Sequence, residues 1–167
     1  MRPWAFIALG ANLGHPTNTI TDAMLHLERL SDAPLLKSSL WESEPVDCPP
    51  GSPKFVNAMA GIAPRIGETP ETLLAKLQEI ERLLGRKPKT VMNEPRPLDL
   101  DLIIFGDETR SGPSLTLPHP RAHQRRFVLQ PLAEIASDLI LPGQAKTVRQ
   151  LLATLPPEPK VSLMQRC

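Results

Sequence analysis

Residues 95–106 read Pro-Arg-Pro-Leu-Asp-Leu-Asp-Leu-Ile-Ile-Phe-Gly, and this stretch joins a strong strand pattern to a strong chemical signal. Leucines alternate with Asp99 and Asp101, and a strand sends successive side chains to opposite faces, so the two carboxylates share one face. Such close carboxylates repel each other and favour a bound cation. Mg²⁺ prefers oxygen ligands and is commonly held by one or two carboxylates together with substrate phosphates. The stretch therefore predicts a strand with a magnesium site, and a solvated strand face is the alternative.

Basic residues flank this acidic pair on both sides. The segment 86–96 holds four basic residues and one acid, and the segment 110–126 holds four arginines, two histidines and no acid. Arginine binds phosphate oxygens with paired hydrogen bonds, and a metal that bridges those oxygens offsets their mutual repulsion. The charge pattern therefore favours a metal bound together with a polyphosphate.

Length and composition predict one soluble domain. The 167 residues suit a single domain that spans 1–167, and the net charge of +1 argues against nucleic acid or an anionic membrane as a partner. The two cysteines, Cys48 and Cys167, lack the paired spacing of a zinc site or a disulfide framework. No long apolar stretch follows the charged start of the chain, so a cytoplasmic location is expected.

Hydrophobic periodicity predicts an α+β fold. Thr69 and Pro70 are typical of a helix start, and the apolar stripe behind them ends at Gly85. The expected strands are 4–10, 35–46, 54–63 and 98–105, and the expected helices are 16–30 and 69–84. The order strand, helix, strand, strand, helix, strand predicts a ferredoxin-like βαββαβ core, in which an antiparallel sheet packs both helices on one face.

A C-terminal extension is expected to follow the last core strand. Its expected elements are a hairpin at 106–117, a rigid turn at 118–120, short helices at 127–135 and 147–155, and a tail at 156–167. The compact part of the chain is expected to span residues 4–142. The basic loop 86–96 is long for a segment without structure of its own, which predicts a mobile lid.

Several common catalytic motifs are absent from the sequence. It contains neither Gly-x-x-x-x-Gly-Lys-[Ser/Thr] nor Gly-x-Gly-x-x-Gly, so a nucleotide would bind without either phosphate loop. It also lacks a helical His-x-x-x-His pair and a Gly-x-Ser-x-Gly motif, which disfavours a zinc hydrolase and a serine hydrolase. His119 lies between two prolines that fix its backbone, which makes it either a ligand contact or a surface turn residue.

Four ordered segments resemble one enzyme family. They are 6–14 (Phe-Ile-Ala-Leu-Gly-Ala-Asn-Leu-Gly), 55–58 (Phe-Val-Asn-Ala), 95–101 (Pro-Arg-Pro-Leu-Asp-Leu-Asp) and 117–127 (Leu-Pro-His-Pro-Arg-Ala-His-Gln-Arg-Arg-Phe). With these segments the chain resembles 6-hydroxymethyl-7,8-dihydropterin pyrophosphokinase from residue 6 to residue 142. Members of that family transfer the β,γ-diphosphate of ATP to the hydroxymethyl group of a reduced pterin in folate biosynthesis and release AMP. The resemblance implies this reaction, a ferredoxin-like fold and a monomer whose partners are small-molecule substrates.

The resemblance also implies roles for individual acidic and basic residues. Asp99 and Asp101 match the carboxylates that hold two Mg²⁺ ions, and Arg86 and Arg96 match mobile-loop arginines that support phosphoryl transfer. ATP is the implied co-substrate. The positions that match ATP contacts are Gln78, Glu81, Arg96, Leu102, Thr116, His119 and Arg125.

A second set of residues matches the pterin site of the family. Phe55 and Phe127 match the two aromatic positions that sandwich the ring, and Asn57 matches the residue that reads its amide edge. The remaining pterin positions are Ser43, Pro45 and Val46. The chemistry agrees, because a flat ring stacks well between aromatic faces and an asparagine offers both a donor and an acceptor.

The sequence departs from the common family pattern near the expected lid. Asn93 and Glu94 stand where the common form has Trp-Gly, and this change bears on the lid and on ATP affinity rather than on the reaction. The residues leave two other functions open. One is a different Mg²⁺-dependent nucleotidyl or phosphoryl transferase, and the other is a non-catalytic ferredoxin-like module that binds RNA or a regulatory ligand.

Overall fold

A six-stranded antiparallel sheet forms the centre of the fold. The structure, a computed structural model, describes residues 3–44, 53–85, 98–157 and 160–165. The strands are β1 (Ala5–Ala11), β2 (Leu36–Lys37), β3 (Leu40–Ser43), β4 (Phe55–Ile62), β5 (Asp99–Phe105), β6 (Arg110–Ser111), β7 (Thr116–Leu117) and β8 (Val161–Gln165). The helices are α1 (Pro16–Glu28), α2 (Pro70–Leu83), α3 (Arg126–Ala136) and α4 (Val148–Thr154), with a 3₁₀ turn at Ala122–Gln124. Within these described ranges, none of the helices has the length and apolar character needed to cross a lipid bilayer.

The strand order along the sheet is β5-β1-β4-β3-β8, with β2 paired to β4, and all neighbouring strands are antiparallel. A separate hairpin is formed by β6 and β7. The four strands β1, β3, β4 and β5 and the helices α1 and α2 follow one another along the chain in the βαββαβ order. The predicted ferredoxin-like α+β fold is therefore confirmed.

Alternating side chains give the sheet two buried faces. One face packs against α1 and α2 and includes Leu9 of β1 and Leu77 of α2. The other face packs against α3 and α4 and includes Met59 of β4 and Leu129 of α3. Removal of apolar surface from water, worth about 25 cal/mol per Å², stabilises both layers. The C-terminal extension thus supplies the second layer of helices, and the sheet lies between the two.

The start of α2 follows the sequence signal at Thr69 and Pro70. The Thr69 hydroxyl accepts a hydrogen bond from the main-chain N–H of Thr72 (3.1 Å), and the Thr72 hydroxyl oxygen accepts one from the N–H of Thr69 (2.9 Å). Pro70, at the first helical position, has no N–H that needs a partner. This reciprocal capping satisfies two donors that a helix start would otherwise leave unpaired.

The single strand expected over 35–46 is wrong, because β2 and β3 are separate strands. Between them Ser38 N still donates to Met59 O of β4 (2.9 Å), and side chains add further hydrogen bonds. The Ser38 hydroxyl accepts a hydrogen bond from Met59 N (2.8 Å), and Ser39 N donates to Glu134 Oε1 of α3 (2.8 Å). A carboxylate from a distant helix thus binds the main chain between the two strands, and the local sequence pattern carries no sign of it.

A further strand is present where the sequence indicates only a tail. Residues 161–165 form β8, whose Val161 and Leu163 pair with Ser43 and Trp41 of β3. The prolines at 156, 157 and 159 dominate the local pattern and hide the short strand that follows them. The expectation of a tail without a strand is therefore wrong for residues 161–165, which cover the outer edge of β3.

The close packing of β4 against β1 yields a stability prediction at Gly61. A Cβ atom there would lie 2.8 Å from Phe6 Cε1 and 3.2 Å from Leu36 Cβ, both closer than normal contact. Phe6 is buried, so its ring has little room to move. We expect Gly61→Ala to lower the free energy of unfolding by about 1–3 kcal/mol, measured by urea denaturation.

Gly112→Ala is the matched control for this prediction. A Cβ atom at Gly112 would meet Leu115 O at 3.7 Å, an ordinary contact. The control should stay within about 0.5 kcal/mol of the wild-type free energy of unfolding. Equal free energies of unfolding of the two variants would contradict the steric conflict expected between a Cβ atom at position 61 and the Phe6 ring.

Candidate active site

Three neighbouring strands bring polar residues into one row. The register pairs Gly10 of β1 with Asp99 of β5 on one side and with Asn57 of β4 on the other. Paired residues of antiparallel strands project from the same face of a sheet. Asp99, Gly10 and Asn57 therefore lie side by side. Asp101 follows on the same face, paired with Ala8.

Gly10 leaves a gap in the middle of this row. A Cβ atom there would lie 3.7 Å from Asn57 Oδ1 and 4.0 Å from Phe55 Cδ1. Both are ordinary contact distances, so the surroundings have room for a methyl group at this position. The missing side chain leaves that room open between Asp99 and Asn57, and a flat ligand can lie there.

Two neighbours hold the Asn57 side chain in place. Its Nδ2 donates to Ser43 Oγ (2.6 Å) and to the main-chain oxygen of Phe55 (3.5 Å). Asn57 and Ser43 are both buried, whereas Phe55 is only partly buried. Because the amide nitrogen faces Ser43, the amide oxygen lies on the side of the gap at Gly10, where it can accept a hydrogen bond from a ligand.

A basic cluster lies beside the acidic strand. His119 N donates to the main-chain oxygen of Ile103 in β5 (2.8 Å), which fixes the segment after β7 against that strand. Arg121 N then donates to His119 Nδ1 (3.3 Å). The guanidinium carbon of Arg125 lies 5.4 Å from the centre of the Phe127 ring, within cation–π range. One short segment thus presents an imidazole, two guanidinium groups and an aromatic ring.

The pKa shifts show that these basic groups and the two carboxylates act on one another. Burial lowers the pKa of His119 below its ordinary value, Arg125 adds to this effect, and Asp99 opposes it. Burial also lowers the pKa of Arg125, with Arg121 adding to the effect and Asp101 and Asp99 opposing it. Acidic and basic groups therefore face a common space, which suits an anionic ligand bound together with a cation.

A side chain of α2 fixes the outer edge of β5. Leu100 N donates to Glu81 Oε2 of α2 (2.8 Å), and Glu81 is only 8% exposed. An edge strand usually leaves such an N–H to solvent, whereas here a buried carboxylate accepts from it. The neighbouring Leu102 side chain packs into the layer of α1 and α2, on the face opposite to the aspartates.

A cavity of about 500 Å³ lies between α2 and the hairpin of β6 and β7. Gln78 lines it, and Thr116 directly follows the lining residue Leu115. Arg110 joins the two sides of the cavity, because its Nε donates to Glu71 Oε2 of α2 (2.6 Å). The volume lies within the range of about 300–1,000 Å³ that is usual for small-molecule sites.

The structure divides the expected site residues into groups. The open face of the sheet and the segment beside it carry Ser43, Phe55, Asn57, Asp99, Asp101, His119, Arg125 and Phe127. Gln78 and Thr116 lie at the cavity, and Glu81 and Leu102 lie between α2 and β5. Pro45, Val46, Arg86 and Arg96 lie outside the described residues, as does the expected lid.

Sequence reasoning missed three features of this site. Gly10 is predicted only as the last residue of a strand and as part of the segment 6–14, whereas the sheet register places it beside Asp99. Arg121 acts on both His119 and Arg125, and its place in the basic run was the only sign of this. The bond between Arg110 and a helix residue has no sequence signal, because the two residues are distant in the chain.

Comparison with known proteins defines the class of this chain. The profile of the family described as 7,8-dihydro-6-hydroxymethylpterin-pyrophosphokinase (HPPK) matches residues 6–137. The 2-amino-4-hydroxy-6-hydroxymethyldihydropteridine pyrophosphokinase of Haemophilus influenzae is 42% identical over 140 residues, which are 83% of this chain and 85% of the relative. The protein of the same name from Pseudomonas aeruginosa is 39% identical over 152 residues, which are 90% of this chain and 91% of the relative. The class is thus that of the pyrophosphokinases.

Solved structures agree with this class at the level of fold. The crystal structure of wild-type Plasmodium falciparum HPPK-DHPS with SDX-DHP matches 92% of this chain with a TM-score of 0.71 and 14% sequence identity. The chain spans 44% of that longer protein. Within the pyrophosphokinases, the chain belongs to the 7,8-dihydro-6-hydroxymethylpterin-pyrophosphokinase family.

The lowered pKa of His119 predicts a pH dependence of stability. The unfolded chain binds a proton at this histidine near its ordinary pKa of 6.5, whereas the folded chain stays neutral to lower pH. The contribution to stability is therefore complete above that pKa and declines as the pH falls below it. We expect His119→Asn to lose less stability than the wild type between about pH 7.5 and about pH 5.5, measured as the urea midpoint. Identical losses in the two proteins would contradict the assignment.

Proposed function

We propose that this pyrophosphokinase takes its diphosphate from ATP and releases AMP, with Mg²⁺ held at Asp99 and Asp101. As a member of its family, the enzyme transfers a pyrophosphoryl group to hydroxymethyldihydropterin in folate synthesis. The observation that carries the proposal is the row of Asp99, Gly10 and Asn57, because it sets an acidic group and an amide on either side of a gap. A phosphate donor can then meet an acceptor ring at the centre of one sheet face.

The donor set at Asp99 and Asp101 fits a hard divalent ion. Both side chains offer carboxylate oxygens, which Mg²⁺ prefers to nitrogen or sulfur. Among the described residues, no group of three or more His, Cys, Asp or Glu side chains could hold a metal by itself. Phosphate oxygens and water would therefore complete the coordination, as is usual for Mg²⁺ bound with a nucleotide. We assign two ions to this site on the basis of the family resemblance.

The nucleotide is proposed to lie across the outer edge of β5. The cavity beside Gln78 and Thr116 is large enough for a nucleoside. His119 and Arg125 lie beside the aspartates, where they can bind phosphate oxygens. The main chain around Leu102 runs between these two regions. We assign all these residues to ATP binding, together with Glu81, whose bond to Leu100 N fixes the strand between Asp99 and Asp101.

The pterin is proposed to lie over Gly10, in a space that we call the ring slot. Its sides are Phe55 of β4 and Phe127 of α3, and its polar edge is Asn57. The amide oxygen of Asn57 can accept from ring N–H groups, while Ser43 keeps the amide oriented (Nδ2 to Oγ 2.6 Å). Aromatic faces on both sides of a flat ring favour stacked contacts. We assign Pro45 and Val46 to the same slot by resemblance.

The proposed chemical step is an in-line displacement at the β-phosphorus. The hydroxymethyl oxygen of the pterin forms a new bond to that phosphorus and loses its proton to solvent water, the bond to the oxygen bridging the α-phosphate breaks, and AMP leaves with that oxygen. Asp99 and Asp101 would hold Mg²⁺, which would supply charge neutralisation and a lowered pKa of the attacking hydroxyl. Arg125, with Arg86 and Arg96 as assigned by resemblance, stabilises negative charge that spreads over the phosphate oxygens. We propose that one domain in a monomer carries out the whole reaction.

Product identification tests this proposal. Purified protein is incubated with ATP, Mg²⁺ and 6-hydroxymethyl-7,8-dihydropterin, and the products are separated by chromatography and mass spectrometry. We expect AMP and a pterin diphosphate in equal amounts, and we expect neither when the metal is removed with EDTA. ADP with a pterin monophosphate would instead identify a simple phosphoryl transferase.

The carboxylate pair yields a mutational prediction. We expect Asp99→Ala or Asp101→Ala to lower turnover by about a thousandfold or more, because the phosphate charge then lacks a fixed metal. Binding of the pterin, measured by calorimetry, should remain largely present. The control is Asp107→Ala, which removes an exposed carboxylate just beyond β5 and should keep wild-type turnover. Turnover near the wild-type value in both aspartate variants would contradict the assignment of Mg²⁺ to Asp99 and Asp101.

The gap at Gly10 yields a second prediction. The methyl group of Gly10→Ala fits beside Asn57 and Phe55 at ordinary distances, so we expect an unchanged or slightly higher free energy of unfolding. The same methyl group occupies the floor of the ring slot. The KM for the pterin should therefore rise about tenfold, while the KM for ATP serves as the internal control. Parallel changes of both KM values would argue against a ring slot at this position.

A further inference from the structure

Glu134 of α3 accepts three hydrogen bonds from one short segment of the sheet. Ser39 donates its main-chain N–H to Oε1 (2.8 Å) and its hydroxyl to Oε2 (2.5 Å). The indole Nε1–H of Trp41 also donates to Oε1 (3.1 Å). Hydrogen bonds to an ionised acceptor belong to the stronger class. A single carboxylate therefore fixes both the main chain just before β3 and the orientation of the indole on β3.

The residues that Glu134 holds adjoin the ring slot. Trp41 pairs directly with Asn57 across β3 and β4, so the two side chains are neighbours on the same face. Ser43, further along β3, accepts the hydrogen bond from Asn57 Nδ2. The path of β3 and the orientation of the indole thus influence where the Asn57 amide points.

The same helix carries the other side of the slot. Phe127 lies in the first turn of α3, about two helical turns before Glu134, so the two side chains project from the same side of the helix. The proposed function assigns Phe127 to the slot, and Glu134 reaches β3. A shift of α3 relative to β3 would therefore change the distance between Phe127 and Asn57.

We propose that Glu134 is a positioning residue that sets the width of the ring slot by tying α3 to β3. The carboxylate acts through Ser39, Trp41 and the helix, and it does not touch the substrate. Glu134 is exposed, so its replacement opens no cavity in the core. This inference rests on the proposed function of the slot as the pterin site.

The test variant is Glu134→Gln, which keeps the shape of the side chain. The amide oxygen can still accept the two bonds made to Oε1, whereas the N–H₂ group that replaces Oε2 cannot accept from the Ser39 hydroxyl, so that bond and the negative charge are lost. We expect the KM for 6-hydroxymethyl-7,8-dihydropterin to rise about tenfold, as for the loss of one hydrogen bond to a charged group. The KM for ATP should stay within about twofold of the wild-type value, because the cavity beside α2 does not contact this part of α3.

Asp138→Asn is the matched control. It removes one negative charge from a position just after α3, where Asp138 Oδ1 pairs with Arg149 Nη2 of α4 (2.9 Å). Its KM for both substrates should equal that of the wild type. A second test variant, Ser39→Ala, removes only the hydroxyl donor and should raise the KM for the pterin in the same direction as Glu134→Gln.

A fluorescence readout separates the carboxylate contact from the kinetic effect. The chain has two tryptophans, so Trp4→Phe leaves Trp41 as the only indole. In that background, Glu134→Gln should shift the Trp41 emission of the protein without substrate. The kinetic effects of Glu134→Gln and Trp41→Phe should also be less than additive, because both variants weaken the same contact between Trp41 and the side chain at position 134.

The outcomes decide between the inference and its alternatives. A selective rise in the KM for the pterin, together with the emission shift, supports a positioning role. An emission shift or a lower thermal midpoint with both KM values unchanged overturns it, because the contact would then be structural only. Wild-type protein that forms no pterin diphosphate would refute the proposed function instead, which keeps the two failures distinct.

Discussion

The antiparallel pairing of β5, β1 and β4 is the constraint on which the rest of the structure depends. Its register sets Asp99, Gly10 and Asn57 side by side, and a slip of β5 by one residue would turn Asp99 and Asp101 toward the helices α1 and α2. The leucines of β5 make such a slip costly, since they would lose their buried contacts. The apolar layer on one face therefore fixes the polar geometry on the other.

Much of the fold follows from local sequence patterns. The capping threonine of α2, its apolar stripe and the alternation in β5 each predict their elements, and the βαββαβ order follows from them. The break between β2 and β3 was not predictable in this way, because the main chain there is bound by Glu134, which lies far along the chain. The strand β8 was missed because it is short and its pairing partner, β3, is equally distant in sequence.

The site was predictable to a different degree for each kind of residue. Asp99 and Asp101 are recognisable because they are charged residues in an apolar strand, and His119 is recognisable because it lies between two prolines. Gly10 has no comparable signal in the sequence. It matters because it has no side chain, and its position between Asp99 and Asn57 becomes visible only once the strands are paired. The cavity lined by Gln78 depends on how the β6 and β7 hairpin packs against α2, which is a matter of tertiary structure.

The strand β8 also has a consequence for association between molecules. Without it, β3 would form the edge of the sheet and would present main-chain donors and acceptors next to the ring slot, where a strand from another molecule could add. With β8 in place, the exposed edge lies one strand farther from the slot. Intermolecular strand addition, the first step of many aggregation processes, is thereby moved away from the row of Asp99, Gly10 and Asn57.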